Sequence, residues 1–400
     1  MVQSPYQPEI FIAPGNAGTS LVAHNVNIAA TDIPALFNFA KKNAVDFTFV
    51  GPEIPLAMGI VDAFEANGLA IFGPRQGAAR IEASKVFAKE LLLRNGIPCA
   101  RSHSFNTYEE AASYVKTQRA PIVIKADGLA MGKGVTVAQT IEEALNALRT
   151  AMQDKAFGEA GEKIVIEECL VGREMSFFAF TDGTSVIPMV PACDYKRVFD
   201  GNDGPNTGGM GSYSPPEFYT NDLGAQVMQT IMEPTIKALK EDGCPYHGVL
   251  YGGLILTPDG PKVIEFNARL GDPETQVVMP RLASDLVDIV QAVIARRLSS
   301  VEIAWHKDAC VGVALTSGGY PGNYQSGYPI SGLNELEANV MVFHAGTKLG
   351  TSGEILTAGG RVLTIVARGA TLAEARETVY RNVSRIKFTG MHYRKDIALV

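Results

Sequence analysis

The stretch PIVIKADGLAMGKGVTVAQ, Pro121 to Gln139, reads as two short strands joined by a glycine-rich loop with a lysine at each side. Its Ile/Val runs favour strand. The glycines let backbone amides converge on phosphate oxygens, and Lys125 and Lys133 supply countercharge. The loop lacks the GxxxxGK[ST] order of a P-loop and follows a strand without opening a helix, so it is not a dinucleotide fingerprint either. Taken alone, it also reads as a plain hairpin connection with exposed lysines.

Around this segment the chain keeps an α+β rhythm. A helix at Tyr108–Lys116 precedes it, and a helix from Ile141 follows, its start marked by Thr140 with Glu143 three residues on, a capping box. The strand KIVIEE (Lys163–Glu168), the run Glu174–Thr181, the turn at Asp182-Gly183 and Val186–Val190 predict an antiparallel sheet. After GPNTGGMGSYSPP, expected as a loop, come a helix from about Leu223 to Lys240, the run GVLYGGLILT and the hairpin strand KVIEFN. Upstream, EIFIAPG, Ile33–Asn43, VDFTFVG, Pro55–Asn67 and LAIFG alternate in the βαβαβ manner of a doubly wound parallel sheet, whose ligand loops lie at the strands' carboxyl ends. One helical stretch, Gln76 to Asn95, connects the two regions. Beyond Trp305, ACVGVALTSGGYPG, RVLTIVARG and a second capping box at Thr371 and Glu374 suggest a small α/β unit. The expected domains are 1–80, 81–300 with a mobile lid at about 103–170, and 301–400.

Three further constellations carry chemistry. In VIEFNARLGDPE, Glu265 and Asn267 lie two apart on a strand and so share a face. Two oxygen ligands at that spacing suit Mg²⁺, which completes its shell with phosphate and water; an ordinary half-exposed strand shows the same alternation. Arg269, Gly271 and Asp272 beside them look like a grip on a zwitterion. In IEECLVGREMS, a hinge at Glu167–Leu170 can hold an adenine edge and Glu174 can accept ribose hydroxyls, or these are solvated acids in a strand connection. The loop Gly204–Pro215 is long enough to be functional or mobile. Asp194, Lys196 and Arg197 upstream could steer phosphates, or form a solvated charge cluster.

Composition excludes several classes. The 400 residues are 46% hydrophobic and 19% charged, which excludes disorder and collagen. A formal charge of −7 gives no general attraction to nucleic acid or anionic membrane. No window approaches the roughly eighteen apolar residues a spanning helix needs, and the start has no signal-peptide pattern, so a cytoplasmic location is expected. The five cysteines form no CxxC and the six histidines no HExxH, so neither a disulfide framework nor a zinc site is suggested.

In order, Lys85, the lysine-bearing strand with its glycine flap, the carboxylate hinge and the paired oxygen-ligand strand resemble the ATP-grasp superfamily, in which two α+β lobes hold ATP between antiparallel sheets. More closely, the chain resembles the phosphoribosylamine–glycine ligase (glycinamide ribonucleotide synthetase) family: APGNAGT, VGPE.PL, IFGP, EASK.F.K, PIVIKADGLA.GKGV, GPNTGGMG, KVIEFN.R.GDPETQ, GGYPG.Y, VFHAGT and RKDI match over residues 11–396. The resemblance implies an amino-terminal doubly wound α/β domain, central ATP-grasp lobes and a small carboxyl-terminal α/β domain. It implies a monomeric ATP-dependent ligase of de novo purine biosynthesis that uses Mg²⁺ or Mn²⁺, joins glycine to 5-phosphoribosylamine through a glycyl phosphate and has no nucleic-acid or membrane partner.

By the same resemblance, Lys85 and Lys125 bind ATP phosphates and the flap Asp127, Gly128, Gly132, Lys133 and Gly134 closes over them. Glu168 and Leu170, with Glu167, present the hinge to adenine, and Glu174 contacts ribose. Glu265 and Asn267 hold the metal. Arg269, Gly271 and Asp272 orient glycine, Gly208 and Gly209 lie near the reacting phosphate, and Asn16, Gly18, Thr19, Pro52 and Glu53 face the ribosylamine. Against the family pattern, a first strand and a Gly-Gly-Arg-Glu-His loop before Val2–Pro5 are absent. That implies an incomplete amino-terminal sheet with an exposed apolar edge. The alternative it raises is a truncated, non-ligating ATP-binding relative.

Overall fold

The structure, a computed structural model, describes residues 1–129 and 134–400. Two four-stranded antiparallel sheets form its middle. One runs Ser102–Phe105, Ile164–Glu168, Ile122–Ala126, Val135–Ala138 in spatial order. Its strand Ile122–Ala126 is buried at every position, because it pairs on both edges and carries helices Tyr108–Thr117 and Ile141–Leu148 on one face. Thr140 accepts from the Glu143 amide at 3.1 Å and the Glu143 carboxylate accepts from Gln139 N at 2.7 Å. Such a cap contributes about 1 kcal/mol.

The other sheet runs Val186–Pro188, Arg173–Thr181, Gly248–Thr257, Gly260–Asn267. Its strand Arg173–Thr181 shows no alternation of burial, and the packing explains why. Phe177 and Ala179 enter one core with helices of residues 53–94 and 221–241, while Phe178 and Phe180 enter another with helix Leu286–Ile294. A sheet covered on both faces reads as continuous hydrophobic sequence.

Three sequence expectations change. The stretch Gln76–Asn95 is two helices, Gln76–Ala83 and Lys85–Arg94, broken at Ser84, whose extended backbone and hydroxyl cap the second helix. Helix Leu223–Lys240 extends over residues 221–241 with a π-turn at Met228–Met232. The expected loop Gly204–Pro215 contains strand Gly211–Ser214, buried throughout, which pairs with Ala309–Thr316. A five-stranded sheet therefore runs Cys193–Asp194, Gly211–Ser214, Ala309–Thr316, Arg361–Gly369, Val340–His344, crossing the division drawn at residue 300. The register, which sequence periodicity cannot supply, decided this.

The amino-terminal strands are parallel, as the βαβ rhythm requires, but form two separate pairs: Phe11–Ile12 with His24–Asn25, and Thr48–Phe49 with Ile71–Phe72. No hydrogen bond joins the pairs into one sheet, and Phe11, Ile12 and Phe49 are only half-buried. Among the described residues no helix is long and apolar enough to cross a membrane.

Because both faces of strand Arg173–Thr181 are covered, Phe177→Ala and Phe178→Ala should each lower stability by about 3–5 kcal/mol. Guanidinium denaturation of the full chain checks this. A near-neutral effect at either position would mean that face is open.

Candidate active site

Ser84 decides where the first cation goes. The break it makes puts Lys85 in the first turn of its helix, where Nζ donates to Gly128 O at 2.9 Å. Asp127 binds the same helix start, accepting from Val86 N at 3.1 Å and from the Ser84 hydroxyl at 3.2 Å. The Asp127 carboxylate thus ties the base of the flap to this helix. Gly134 closes the hairpin by accepting from Ala126 N at 2.8 Å, and Gly132 and Lys133 lie outside the described residues.

Lys125 is buried on its strand. It contacts Glu167 Oε2 at 3.0 Å and donates to Ile264 O at 2.9 Å; Lys89, one turn beyond Lys85, contacts Glu167 Oε1 at 3.1 Å. Glu167 is therefore a buried carboxylate between two ammonium groups, set into the wall between the sheets. Burial pushes the Lys85 and Lys89 ammonium groups below their ordinary range, against the pull of Glu265 and Glu167 respectively.

Between the two sheets a cleft opens as two joined cavities of about 520 and 700 Å³. Both are lined by Lys125, Glu167, Gly208, Glu265, Asn267 and Asp272. Glu265 and Asn267 share one face of strand Gly260–Asn267, as their spacing predicts, opposite Gly253 and Tyr251. A Cβ at Gly253 would sit 3.3 Å from the Glu265 side chain, so glycine there leaves the carboxylate room. Burial pushes the Glu265 carboxyl up, but Lys196, Lys125, Lys85 and Arg269 outweigh it and hold the group ionised. Among the described residues no group of three His, Cys, Asp or Glu side chains gathers as a metal cluster. A carboxylate and an amide oxygen are hard donors that fit a divalent cation completed by nucleotide and water oxygens.

The larger cavity carries the hinge. Leu170 and Glu174 line it, and Glu174 is paired with Lys196 at 2.7 Å. Lys196 is held well protonated by Asp194, Glu174 and Glu265 despite burial. The Glu168 amide donates to Arg101 O at 3.0 Å and its carboxylate pairs with the Arg101 side chain at 2.8 Å.

The smaller cavity takes in Pro52 and Glu53. Arg269, expected on glycine, donates to Glu53 at 2.9 Å and contacts Glu82 at 3.1 Å. Glu82, which the sequence reading did not single out, also accepts from Ala268 N at 2.6 Å, and burial raises its carboxyl to about 7 against Arg269. Gly271 leaves no space for a side chain, since a Cβ would meet Glu274 Oε2 at 2.6 Å. Asp272 pairs with Arg361 at 2.6 Å. The same arginine donates to Gly208 O, and Gly209, at φ +111°, lies against Pro273.

Asn16, Gly18 and Thr19 are not brought into the cleft lining. Asn16 Oδ1 accepts from the amides of Gly18 and Thr19, and its Nδ2 donates to His344 O at 2.8 Å, docking this loop on the carboxyl-terminal unit. The residues missed were Glu82, Lys89, Tyr320 and Arg361. Glu82 and Lys89 lie in the quoted EASK.F.K motif, at i−3 and i+4 from Lys85, close enough in register to have been noticed. Arg361 carried no local signal.

Family models match nearly the whole chain with this geometry: Phosphoribosylglycinamide synthetase, N domain, over residues 1–82; ATP-grasp (A) domain, over 83–275; and C domain, over 310–400. The chain belongs to the phosphoribosylglycinamide synthetase family. It is 50% identical over 402 residues to the phosphoribosylamine–glycine ligase of Vibrio cholerae, covering 99% of this chain and 93% of that one. The ligase of Halalkalibacterium halodurans is 49% identical, with 99% and 92% covered. The crystal structure of the Thermotoga maritima ligase superposes with a TM-score of 0.85 at 32% identity, covering 98% of this chain and 94% of that one. A biotin carboxylase domain from Hydrogenobacter thermophilus shares the fold, with a TM-score of 0.73 at 17% identity. As a family member, the chain is an ATP-grasp ligase that uses ATP.

The buried ionic triad makes an ordering test. Lys89→Met leaves Glu167 with Lys125 alone, whereas Glu167→Leu strands two ammonium groups. We expect losses of about 3 kcal/mol for the first and more for the second, read from denaturation midpoints; equal or reversed losses would contradict the shared carboxylate.

Proposed function

We propose that this chain ligates glycine to 5-phosphoribosylamine, giving glycinamide ribonucleotide, ADP and phosphate, and that it does so as a cytoplasmic monomer. The observation that carries the reading is the single cleft in which Lys85, Lys125, Glu265 and Asn267 meet the Gly208 and Asp272 loops, in a chain matched end to end by relatives named for this reaction. A carboxylate is a poor electrophile until one oxygen becomes a phosphate leaving group. In the first step a glycine carboxylate oxygen bonds the terminal phosphorus of ATP and the bond to ADP breaks. In the second the amine nitrogen bonds the carbonyl carbon, phosphate departs and the nitrogen loses a proton.

Neither step needs a protein nucleophile. They need reactants held in line and charge neutralised. Lys85 and Lys125 supply fixed positive charge for the phosphates, and Lys125 is kept immobile by Glu167 and Ile264 O. Leu170 and the Glu168 carbonyl take the adenine edge, and Glu174 takes the ribose. Glu265 and Asn267 would hold Mg²⁺, which would supply positive charge to offset that of the phosphates. The hairpin rooted at Asp127 and Gly134 excludes water from the acyl phosphate.

The acidic pair Glu53 and Glu82 shares the one guanidinium of Arg269. Both acids line the same cavity as Lys85 and Lys125. The domains we assign are 1–80 for the amine, 81–300 for ATP and glycine, and 301–400.

ADP release by the purified chain should require ATP, Mg²⁺, glycine and phosphoribosylamine together, and should stop in Lys125→Ala at temperatures where that variant, less stable by about 3 kcal/mol, is still folded. Release that ignores glycine or the amine would refute the ligase reading. For Glu265→Ala we expect a Mg²⁺ titration displaced at least about tenfold; an unchanged titration would remove Glu265 from the metal site.

A further inference from the structure

The carboxyl-terminal unit reaches the cleft through two side chains. Strand Arg361–Gly369 carries an irregularity at its start: Leu315 pairs with Leu363 but Thr316 pairs with Arg361, so Val362 is an extra residue. Val362 and Leu363 both pack into the core of the carboxyl-terminal unit, while Val366 faces the central core. A bulge reverses which face the next residue takes. Here it turns Arg361 out of its own unit and towards the cleft.

There its guanidinium, one-fifth exposed, makes three bonds to two loops: to Gly208 O at 2.6 Å, to Asp272 O at 3.1 Å and to Asp272 Oδ2 at 2.6 Å. Tyr320 supplies the complementary contact, its hydroxyl accepting from Gly208 N at 2.9 Å. Both polar groups of the Gly208 backbone are thus held by the carboxyl-terminal unit. Tyr320 reaches this position by lying on Gly360, where a Cβ would come within 2.3 Å of its ring. The loops are also pressed together, since a Cβ on Gly209 would overlap Pro273 at 2.2 Å. Gly208, Asp272 and Arg361 line the same cavity as Lys85, Lys125 and Glu265.

We propose that Arg361 and Tyr320 are positioning residues for the ligation, latching the Gly208–Gly209 loop to Asp272 so that the glycine end of the cleft has a fixed wall. The proposal rests on the ligase reading above. It assigns the carboxyl-terminal unit a part in the chemistry: it sets where glycine and the transferred phosphate sit, without touching the nucleotide. Arginine suits the task because its rigid planar fork presents its donors in fixed directions to two carbonyls and a carboxylate, a geometry that a flexible lysine ammonium does not preset.

Two conservative variants of the full chain test this. Arg361→Lys keeps the charge and loses the fork; Tyr320→Phe keeps the ring on Gly360 and loses the acceptor. In each, KM for glycine should rise about tenfold and kcat fall by about ten- to a hundredfold, while KM for ATP stays within about twofold. Amide exchange in segments 204–210 and 270–276 should quicken by about tenfold with strand 122–126 unchanged. Wild-type constants, unaltered exchange, or equal rises in the glycine and ATP constants would overturn the proposal. Faster exchange with an unchanged glycine KM would also overturn it, leaving a latch without a role in the reaction. A wild-type chain without glycine- and amine-dependent ADP release is a different failure, that of the ligase reading, and exchange then decides the latch by itself.

Discussion

Everything in the cleft hangs on a carboxylate that is 4% exposed. Glu167 lies between Lys89 and Lys125, and Lys125 goes on to Ile264 O, so one short chain of charge joins helix Lys85–Arg94 and strands Ile164–Glu168, Ile122–Ala126 and Gly260–Asn267. Ions this deep lose hydration worth several kcal/mol each, and the loss is offset only while every partner stays in place. The arrangement is therefore better understood as fixing geometry than as adding stability. It locks the spacing between the two sheets at the level of Lys125 and Glu265.

Charge is laid out in order along this frame. Lys196, Lys125 and Lys85 keep Glu265 ionised although it is half-buried. In the same cavity Glu53 and Glu82 share Arg269, and burial lifts Glu82 to about 7. In a low-dielectric site such fixed charges act strongly on one another. Arg269 fits this layout as the brace between strand Gly260–Asn267 and the amino-terminal helices, since both its partners come from residues 53 and 82.

The third contribution comes from a sheet that does not respect sequence order. Strand Gly211–Ser214 is stitched to Ala309–Thr316, so the glycine-rich loop before it is anchored in the carboxyl-terminal unit although it belongs in sequence to the central one. Arg361 and Tyr320 complete that anchoring from the other side. A loop with many glycines would be mobile on composition alone. Packing on both sides makes it a wall.

Local chemistry determined much of this in advance. The capping boxes at Thr140 and Thr371, the paired strands around Lys125, the two-residue spacing of Glu265 and Asn267 and the ordered motifs that mark the family depend only on neighbours in sequence, and could be read there. Tertiary structure alone decided the rest. Asp127 caps a helix forty residues away, Arg269 is neutralised by Glu53 and Glu82, the Asn16 loop faces His344, and a one-residue bulge aims Arg361 at Asp272. Long-range pairing and strand register depend on how separate elements share a core, and no period of two or of 3.6 residues records that.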